Sequence, residues 1–484
     1  MQQTKLKLYI TFFLCFFGLG LFLLSPFLVK PKLNLSQLIH SVPTSFIQDH
    51  LDILEKHIPS SLIKNTRMVH VYLDPASTPA LLQMTNFVKQ DPNDIKIVIW
   101  DRYVDHIKNK DTYKNTYFFT AGNFFKKTKH SLSDLAPHNR IVVLLNYILY
   151  HNKKIRINLH FNLEHTANYE AIIQSSAKMH LDSVHIYEDA NAWLLQDSTR
   201  DWVFQETPYT KYLYYWGDYK KLCSKDSIMK RCSTVEEFKK TVVPININYN
   251  TISKKLTEKE KEIIFNLSGL DYEKTKQFFH NKDVFIYVLG AHWHHPNVAI
   301  QLSGLKSLCT PDKTWYFKYH PNKKYQPTYT VLNHLCPGIQ KLDAHIPFEL
   351  LLIGGLKPKG VAGFSSSLFF PLNKEDILLY IPREYDRYIP ILKQAQLIDE
   401  SNTLDTAQQE INLKENNIYW LKMPNDKQFW TWKKDNQTMC NILKDECFKI
   451  LEETPKMVSI QFTDNQIINF EHIETYKYKA VNKQ

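Results

Sequence analysis

The 484 residues contain no C-x-x-C pair, no compact Lys/Arg block and no long internal repeat. The cysteines, Cys15, Cys223, Cys232, Cys309, Cys336, Cys440 and Cys447, are odd in number, which argues against a full disulfide framework. Buried free thiols are the expectation, with Cys223 and Cys232 the candidates for a bond if the chain lies in a periplasm. Without a basic block or a nucleic-acid motif, the formal net charge of +11 does not point to nucleic acid. It reads as a solvated basic surface, or as a field for an anionic partner such as a nucleotide sugar or a phosphorylated glycolipid.

What is present is a globular chain. A hydrophobic fraction of 44% against 23% charged residues excludes disorder, and the length allows two or three domains. Aromatics at 13% serve either as core or as sugar- and base-stacking surfaces; composition does not separate the two. From Leu8 to Val29 the sequence is LYITFFLCFFGLGLFLLSPFLV, about the length a bilayer-spanning helix needs. No clean small-x-small site follows it before Lys30, so an uncleaved membrane anchor is expected rather than a signal peptide. Lys5 and Lys7 before the run nearly balance Lys30 and Lys32 after it, which leaves the orientation open.

Residues 31–65 read as a helical stem or linker. Beyond them, short apolar runs alternate with helical stretches: Met68–Leu73, Lys96–Trp100, Ile155–Phe161, Val184–Tyr187, Val284–Leu289, Trp315–Tyr319 and Ile377–Ile381. Such runs with long crossovers predict parallel α/β sheets. A gap from about 195 to 280 divides them into two sets, and inside it Thr257-x-x-Glu260 predicts a capped helix start. Two α/β domains facing a cleft are expected, with ligands at the carboxyl ends of strands. The last eighty residues change character. Met457–Phe462 and Ile467–Phe470 flank Thr463-Asp464-Asn465 as a hairpin in a small C-terminal extension.

Six stretches occur in one order: YLDPASTPA (72–80), NLEHTAN (162–168), YEDAN (187–191), YFKYHP (316–321), PFELL (347–351) and GFSSSLFF (363–370). Together they resemble the bacterial sialyltransferases of glycosyltransferase family 80, from about Met68 to an IDES run ending at Ser401. The resemblance implies a GT-B fold of two Rossmann-like domains facing a deep cleft. The implied domains are an anchor (1–30), a stem (31–65), an acceptor domain (66–245), a CMP-donor domain (246–402) and an extension (403–484). It also implies an inverting transfer of N-acetylneuraminic acid from CMP-N-acetylneuraminic acid to a terminal galactoside, without a metal or cofactor. The acceptor would be a glycan or glycolipid such as lipooligosaccharide, and the enzyme would be held at a bacterial membrane.

The resemblance assigns roles residue by residue. Asp189 is the general base that deprotonates the acceptor hydroxyl. His320 faces the CMP phosphate as acid or electrostatic stabiliser. Lys318, two residues earlier on the same strand face, contacts the nucleotide. Glu349 holds the ribose hydroxyls, and Ser366 and Ser367 bind the phosphate, although a serine turn is also an ordinary cap. His165, Trp293, Arg102 and Asn139 match acceptor-side residues. Ala190 stands where the family has glycine, the one departure that favours a glycan-binding protein without activity. A related CMP-sugar donor is the nearer alternative. His292, His294 and His295 crowd Trp293, but no Asp or Cys accompanies them at ligand spacing, and no metal is expected.

Overall fold

The computed structural model describes residues 42–481 apart from 75–77, 121–134, 136, 165, 189–202, 204, 217–240, 281, 291–296, 320–325, 344–345, 384–385, 425–426 and 475–476. The chain divides into two compact units. One comprises Met1–Arg67, Ala121–Ile155 and Ala167–His180; the other comprises Met68–Thr120, Arg156–Thr166 and Leu181–Gln484. The apolar run Leu8–Val29 lies outside the described residues. Among those described, no helix is long and apolar enough to cross a membrane.

The first unit is helical. The segment read as a stem forms three short helices, Thr44–Asp49, Leu51–His57 and Ser60–Asn65. They bury Phe46, Ile47, Leu54, Ile58 and Ile63, which accounts for their compactness. The helix Pro137–His151 holds them by polar contacts. Tyr147 Oη lies 2.8 Å from Glu55 Oε2, and just beyond the helix Asn152 Nδ2 donates to the carbonyls of Ile63 and Thr66 at 3.1 and 3.0 Å.

The second unit contains two parallel sheets. The first has β1 (Met68–Asp74), β2 (Ile95–Trp100), β3 (Thr116–Phe118), β4 (Arg156–Asn162), β5 (Leu181–Tyr187), β6 (Thr210–Trp216) and β7 (Val243–Ile247), in spatial order β3-β2-β1-β4-β5-β6-β7. The second has β8 (Val284–Val288), β9 (Thr314–Lys318), β10 (Gln340–Leu342), β11 (Gly360–Phe364) and β12 (Ile377–Ile381), in order β10-β9-β8-β11-β12. The seven apolar runs fall on strands to within one residue at their ends. The supposed gap between the two sets is not strand-free, because β6 and β7 fall inside it. The Thr257 capping box is present and starts the helix Glu258–Leu267.

Strand alternation divides the second sheet's side chains between two cores. Ile286, Val288, Tyr316 and Val361 join a core that also contains Tyr72, Leu81 and Trp100 of the first sheet's half. Tyr287, Trp315, Phe317, Ala362 and Phe364 face a second core. Gly363, at φ +132°, is required where β11 crosses β8, because a Cβ there would meet the Val288 carbonyl oxygen at 2.3 Å. One face of the first sheet carries a buried polar stack. Tyr72 stacks on His160 at 4.4 Å, His160 on His185 at 4.2 Å, and His185 on Tyr212 at 4.6 Å.

The C-terminal extension is a closed barrel of β13 (Ile418–Lys422), β14 (Gln428–Asp435), β15 (Thr438–Asn441), β16 (Cys447–Glu453), β17 (Met457–Gln461), β18 (Ile467–Glu474) and β19 (Lys477–Ala480). The predicted hairpin is its β17–β18 pair, turning at Asn465 with φ 62°. A parallel β13–β19 pair closes it. Leu421, Phe448, Ile460 and Phe470 share the barrel's own core, while Trp430 and Trp432 point outward into the core beside Trp315. The barrel is therefore seated on the second sheet's half rather than hanging from it.

The expectation of free thiols is corrected. Cys309 is bonded to Cys336 and Cys440 to Cys447, with Cα–Cα distances of 5.4 and 4.0 Å. Cys440 and Cys447 are directly opposed across β15 and β16, a proximity that pairing register creates and sequence spacing hides. Cys223 and Cys232 lie outside the described residues.

Candidate active site

Functional side chains in parallel α/β sheets gather where strands end. At the end of β1, Asp74 is buried, and Asn162 at the end of β4 approaches it with Nδ2 3.5 Å from Oδ1. Glu188 follows β5 and is also buried. Its Oε2 accepts the Trp216 backbone N–H at 3.1 Å, and its carbonyl accepts the Trp216 indole N–H at 3.0 Å. The residue before the expected base is thus fixed to the end of β6.

In the second sheet, Leu289 N donates to the Lys318 carbonyl at 3.0 Å and Gly290 N to Gln301 Oε1 at 3.1 Å, which joins the ends of β8 and β9 to a buried glutamine. Lys318 closes β9 on the face of Tyr316, toward the core shared with the first sheet's half. Burial pulls its ammonium down to about 8; Glu349 opposes that shift and Arg102 adds to it.

Glu349 lies in the first turn of the helix Phe348–Ile353 and is half-buried. The protein packed around its carboxyl raises its pKa, while the Lys318 charge, the Thr78 hydroxyl and the Arg102 charge act the other way. Thr78 Oγ1 lies 3.4 Å from Glu349 Oε1. Tyr103, buried beside Arg102, has its phenol pushed up first by burial and then by the Glu349 charge. Lys318, Glu349 and Arg102 are therefore brought into one electrostatic group, joined by Asp74, Thr78 and Tyr103. Arg102, expected on the acceptor side, meets the expected nucleotide residues here. Neither Thr78 nor Tyr103 is marked out by the sequence; Thr78 stands inside the stretch YLDPASTPA, and Tyr103 in none of the six.

After β11, Ser365 N donates to the Ile381 carbonyl at 2.8 Å, which sets the turn beside β12. Ser366 Oγ accepts the Leu368 N–H at 3.3 Å and caps the short turn Ser367–Phe369. Both serines are half-buried. The capping use of Ser366 is thus realised, and the second lone pair and the proton of its hydroxyl stay available to a ligand.

Asn139 is buried on the helix Pro137–His151 of the first unit. Asp189, His320, His165 and Trp293 lie outside the described residues, as do His292, His294 and His295. Among the described residues, no group of three or more His, Cys, Asp or Glu is placed to hold a metal ion.

A family model described as Sialyltransferase PMO188 matches residues 235–388, which contain β7 to β12, Lys318, Glu349 and the serine turn. No match was found among curated protein sequences. The α/β-galactoside α-2,3-sialyltransferase of Photobacterium phosphoreum is similar in structure, with 17% identity, a TM-score of 0.52, and coverage of 70% of this chain and 98% of that one. A sialyltransferase of Photobacterium damsela is similar at 15% identity and a TM-score of 0.48, covering 70% of this chain and 81% of its own. The two parallel sheets are thus those of a GT-B-like α/β fold, and residues 235–388, which hold YFKYHP, PFELL and GFSSSLFF, match the sialyltransferase family.

Proposed function

We propose that the protein transfers N-acetylneuraminic acid from CMP-N-acetylneuraminic acid to a terminal galactoside, with inversion and without a metal ion. The observation that carries this reading is the convergence of Lys318 and Glu349, both in the segment that matches the sialyltransferase family, with Arg102 from the first sheet's half. Glu349 would take the ribose hydroxyls through two carboxylate oxygens. Lys318, His320 and the hydroxyls of Ser366 and Ser367 would neutralise the phosphate.

The reaction needs one bond made and one broken. Asp189 takes the proton of the galactose hydroxyl; that oxygen bonds to the anomeric carbon as the bond from this carbon to the phosphate oxygen breaks. The bonding pair leaves with CMP, where His320 and the cationic group meet the developing charge. Because the chain supplies those partners itself, the leaving group has no need of a divalent ion. Trp293, with an indole suited to the apolar face of a sugar, and His165, Arg102 and Asn139 would receive the acceptor. The Photobacterium phosphoreum enzyme is an α/β-galactoside sialyltransferase, which supports a galactose-ended acceptor. The apolar run Leu8–Val29 supports tethering at a bacterial membrane, where a lipooligosaccharide is a fitting acceptor.

The test is incubation with CMP-N-acetylneuraminic acid and lactose, with product linkage read by mass spectrometry and NMR. Sialyllactose, in α2,3 or α2,6 linkage, supports the reading. Saturable glycan binding without turnover would instead favour the inactive glycan-binding protein that Ala190 suggests. Turnover with a different CMP-sugar alone would move the assignment to that donor.

A further inference from the structure

We propose that Thr78 is a positioning residue for Glu349, so that the carboxylate holding the donor is set in part by the first sheet. Thr78 opens the helix Thr78–Phe87, directly beyond β1, and its side chain is almost wholly buried. Glu349 lies 271 residues away on a helix of the second sheet's half, and Thr78 Oγ1 donates to its Oε1 at 3.4 Å. The two helices pack on each other, and both contribute to one core. A carboxylate that must receive two ribose hydroxyls gains from having one oxygen directed by a fixed donor. Thr78 fits that use because the hydroxyl is carried on a β-branched side chain with restricted χ1. The groups facing Glu349 are Lys318 and Arg102, whose charges favour its ionised form, and Tyr103 and Asp74 beside them.

This inference rests on Glu349 being the donor-binding carboxylate, and the experiment separates the two. Thr78→Val, Thr78→Ser and Glu349→Gln are compared in the full chain by steady-state kinetics and by CMP binding calorimetry. Thr78→Val is expected to raise the donor KM and the CMP Kd about tenfold, the effect of losing one hydrogen bond to a charged group, with the loss in KM rather than kcat. It also moves the acidic limb of the donor KM profile to higher pH, because the hydroxyl no longer stabilises the ionised carboxylate. Thr78→Ser restores both. If Glu349→Gln weakens CMP binding while Thr78→Val leaves affinity and pH profile untouched, the positioning role is wrong. If Glu349→Gln itself leaves CMP affinity unchanged, both readings fall.

A separate observation carries a second inference: the structure assigns the catalytic part of the chain to an oxidising compartment. Among the described residues, two disulfides occur in different places. Cys309–Cys336 joins the ends of the helices Leu305–Leu308 and Tyr329–Leu335, and Cys440–Cys447 crosslinks two barrel strands. Structural disulfides are rare in a reducing cytoplasm, where thiols are kept reduced, and persist in oxidising compartments. With a nucleotide-sugar donor, that placement requires a preceding step of a defined class: carriage of the anionic nucleotide sugar across a membrane, or its synthesis on the far side. The test is thiol alkylation in intact cells that make the full chain, followed by peptide mapping without reductant. Both pairs recovered as disulfide-linked peptides support the assignment. Alkylated Cys309, Cys336, Cys440 or Cys447 overturns it.

Discussion

Glu188 and Trp216 are joined by two hydrogen bonds that both run from Trp216: its backbone N–H donates to the Glu188 carboxylate at 3.1 Å, and its indole N–H donates to the Glu188 carbonyl at 3.0 Å. Both residues are buried at the shared end of β5 and β6. Glu188→Ala leaves the Trp216 N–H without its acceptor, which costs about 1–3 kcal/mol. Urea denaturation is expected to show that loss. Activity should fall further than the unfolded fraction explains, because Asp189 is the next residue. Equal losses in stability and activity would separate Glu188 from the positioning of the base.

Asp189→Ala should leave donor affinity largely intact and lower turnover by a hundredfold or more, since losing a general base typically costs about 10²–10⁴ in rate. Rapid-quench measurement at saturating donor and acceptor reads this directly. A variant within a few-fold of the parent would remove Asp189 from the mechanism.

The serine turn makes a distinct prediction. Replacing Ser366 and Ser367 together by alanine removes the hydroxyls proposed to meet the phosphate, hydrogen bonds worth about 1.5–3 kcal/mol each where the acceptor is charged. Calorimetry should find CMP bound at least tenfold more weakly, and His320→Ala should depress kcat. Ser366 also caps its turn, so Ser366→Asp keeps the cap while repelling the phosphate. If that variant bound CMP as tightly as the parent, the phosphate would lie elsewhere.

Much of this fold could be read from the chain because β8 (VFIYV) and β12 (ILLYI) are continuous apolar runs, the signature of parallel strands, and β1 and β5 contain shorter apolar stretches. Other strands hid for local reasons. β6, with sequence TKYLYYW, mixes aromatics with Lys211, a lysine buried by donating to the Val203 carbonyl at 2.7 Å. β7 contains Pro244, tolerated because β7 pairs only with β6 at the sheet edge. The barrel is closed by pairing β13 with β19, more than fifty positions apart, and only its β17–β18 hairpin has a local signal. The candidate site divides similarly. Lys318, Glu349 and the serines stand in recognisable motifs, whereas the contact of Thr78 with Glu349 exists only after two halves of the chain have packed.

Acid should destabilise the protein through the buried stack. Burial and the charge of His70 hold His185 down at about 3, and burial and the neighbouring histidines hold His160 well below its ordinary value. His70 is lowered too, although Asp94, 3.2 Å away, acts against burial. The unfolded chain takes up protons near pH 6.5 that the fold refuses, so this stability is complete above that pH and lost as pH falls. Each buried histidine contributes a slope of about 1.4 kcal/mol per pH unit. Urea midpoints measured from pH 7 to pH 5 should therefore decline steeply, and His185→Phe should make the decline shallower. A flat profile would contradict neutral burial of the stack.

Sialyl transfer by the chain's own residues is tested by counting both products in one reaction. The full chain is incubated with CMP-N-acetylneuraminic acid and a galactoside in excess EDTA, and released CMP and sialylated galactoside are quantified together. Equal amounts of the two are expected, dependent on the galactoside and insensitive to EDTA. CMP released without sialylated product, or transfer abolished by EDTA and restored by Mg²⁺ or Mn²⁺, would contradict it.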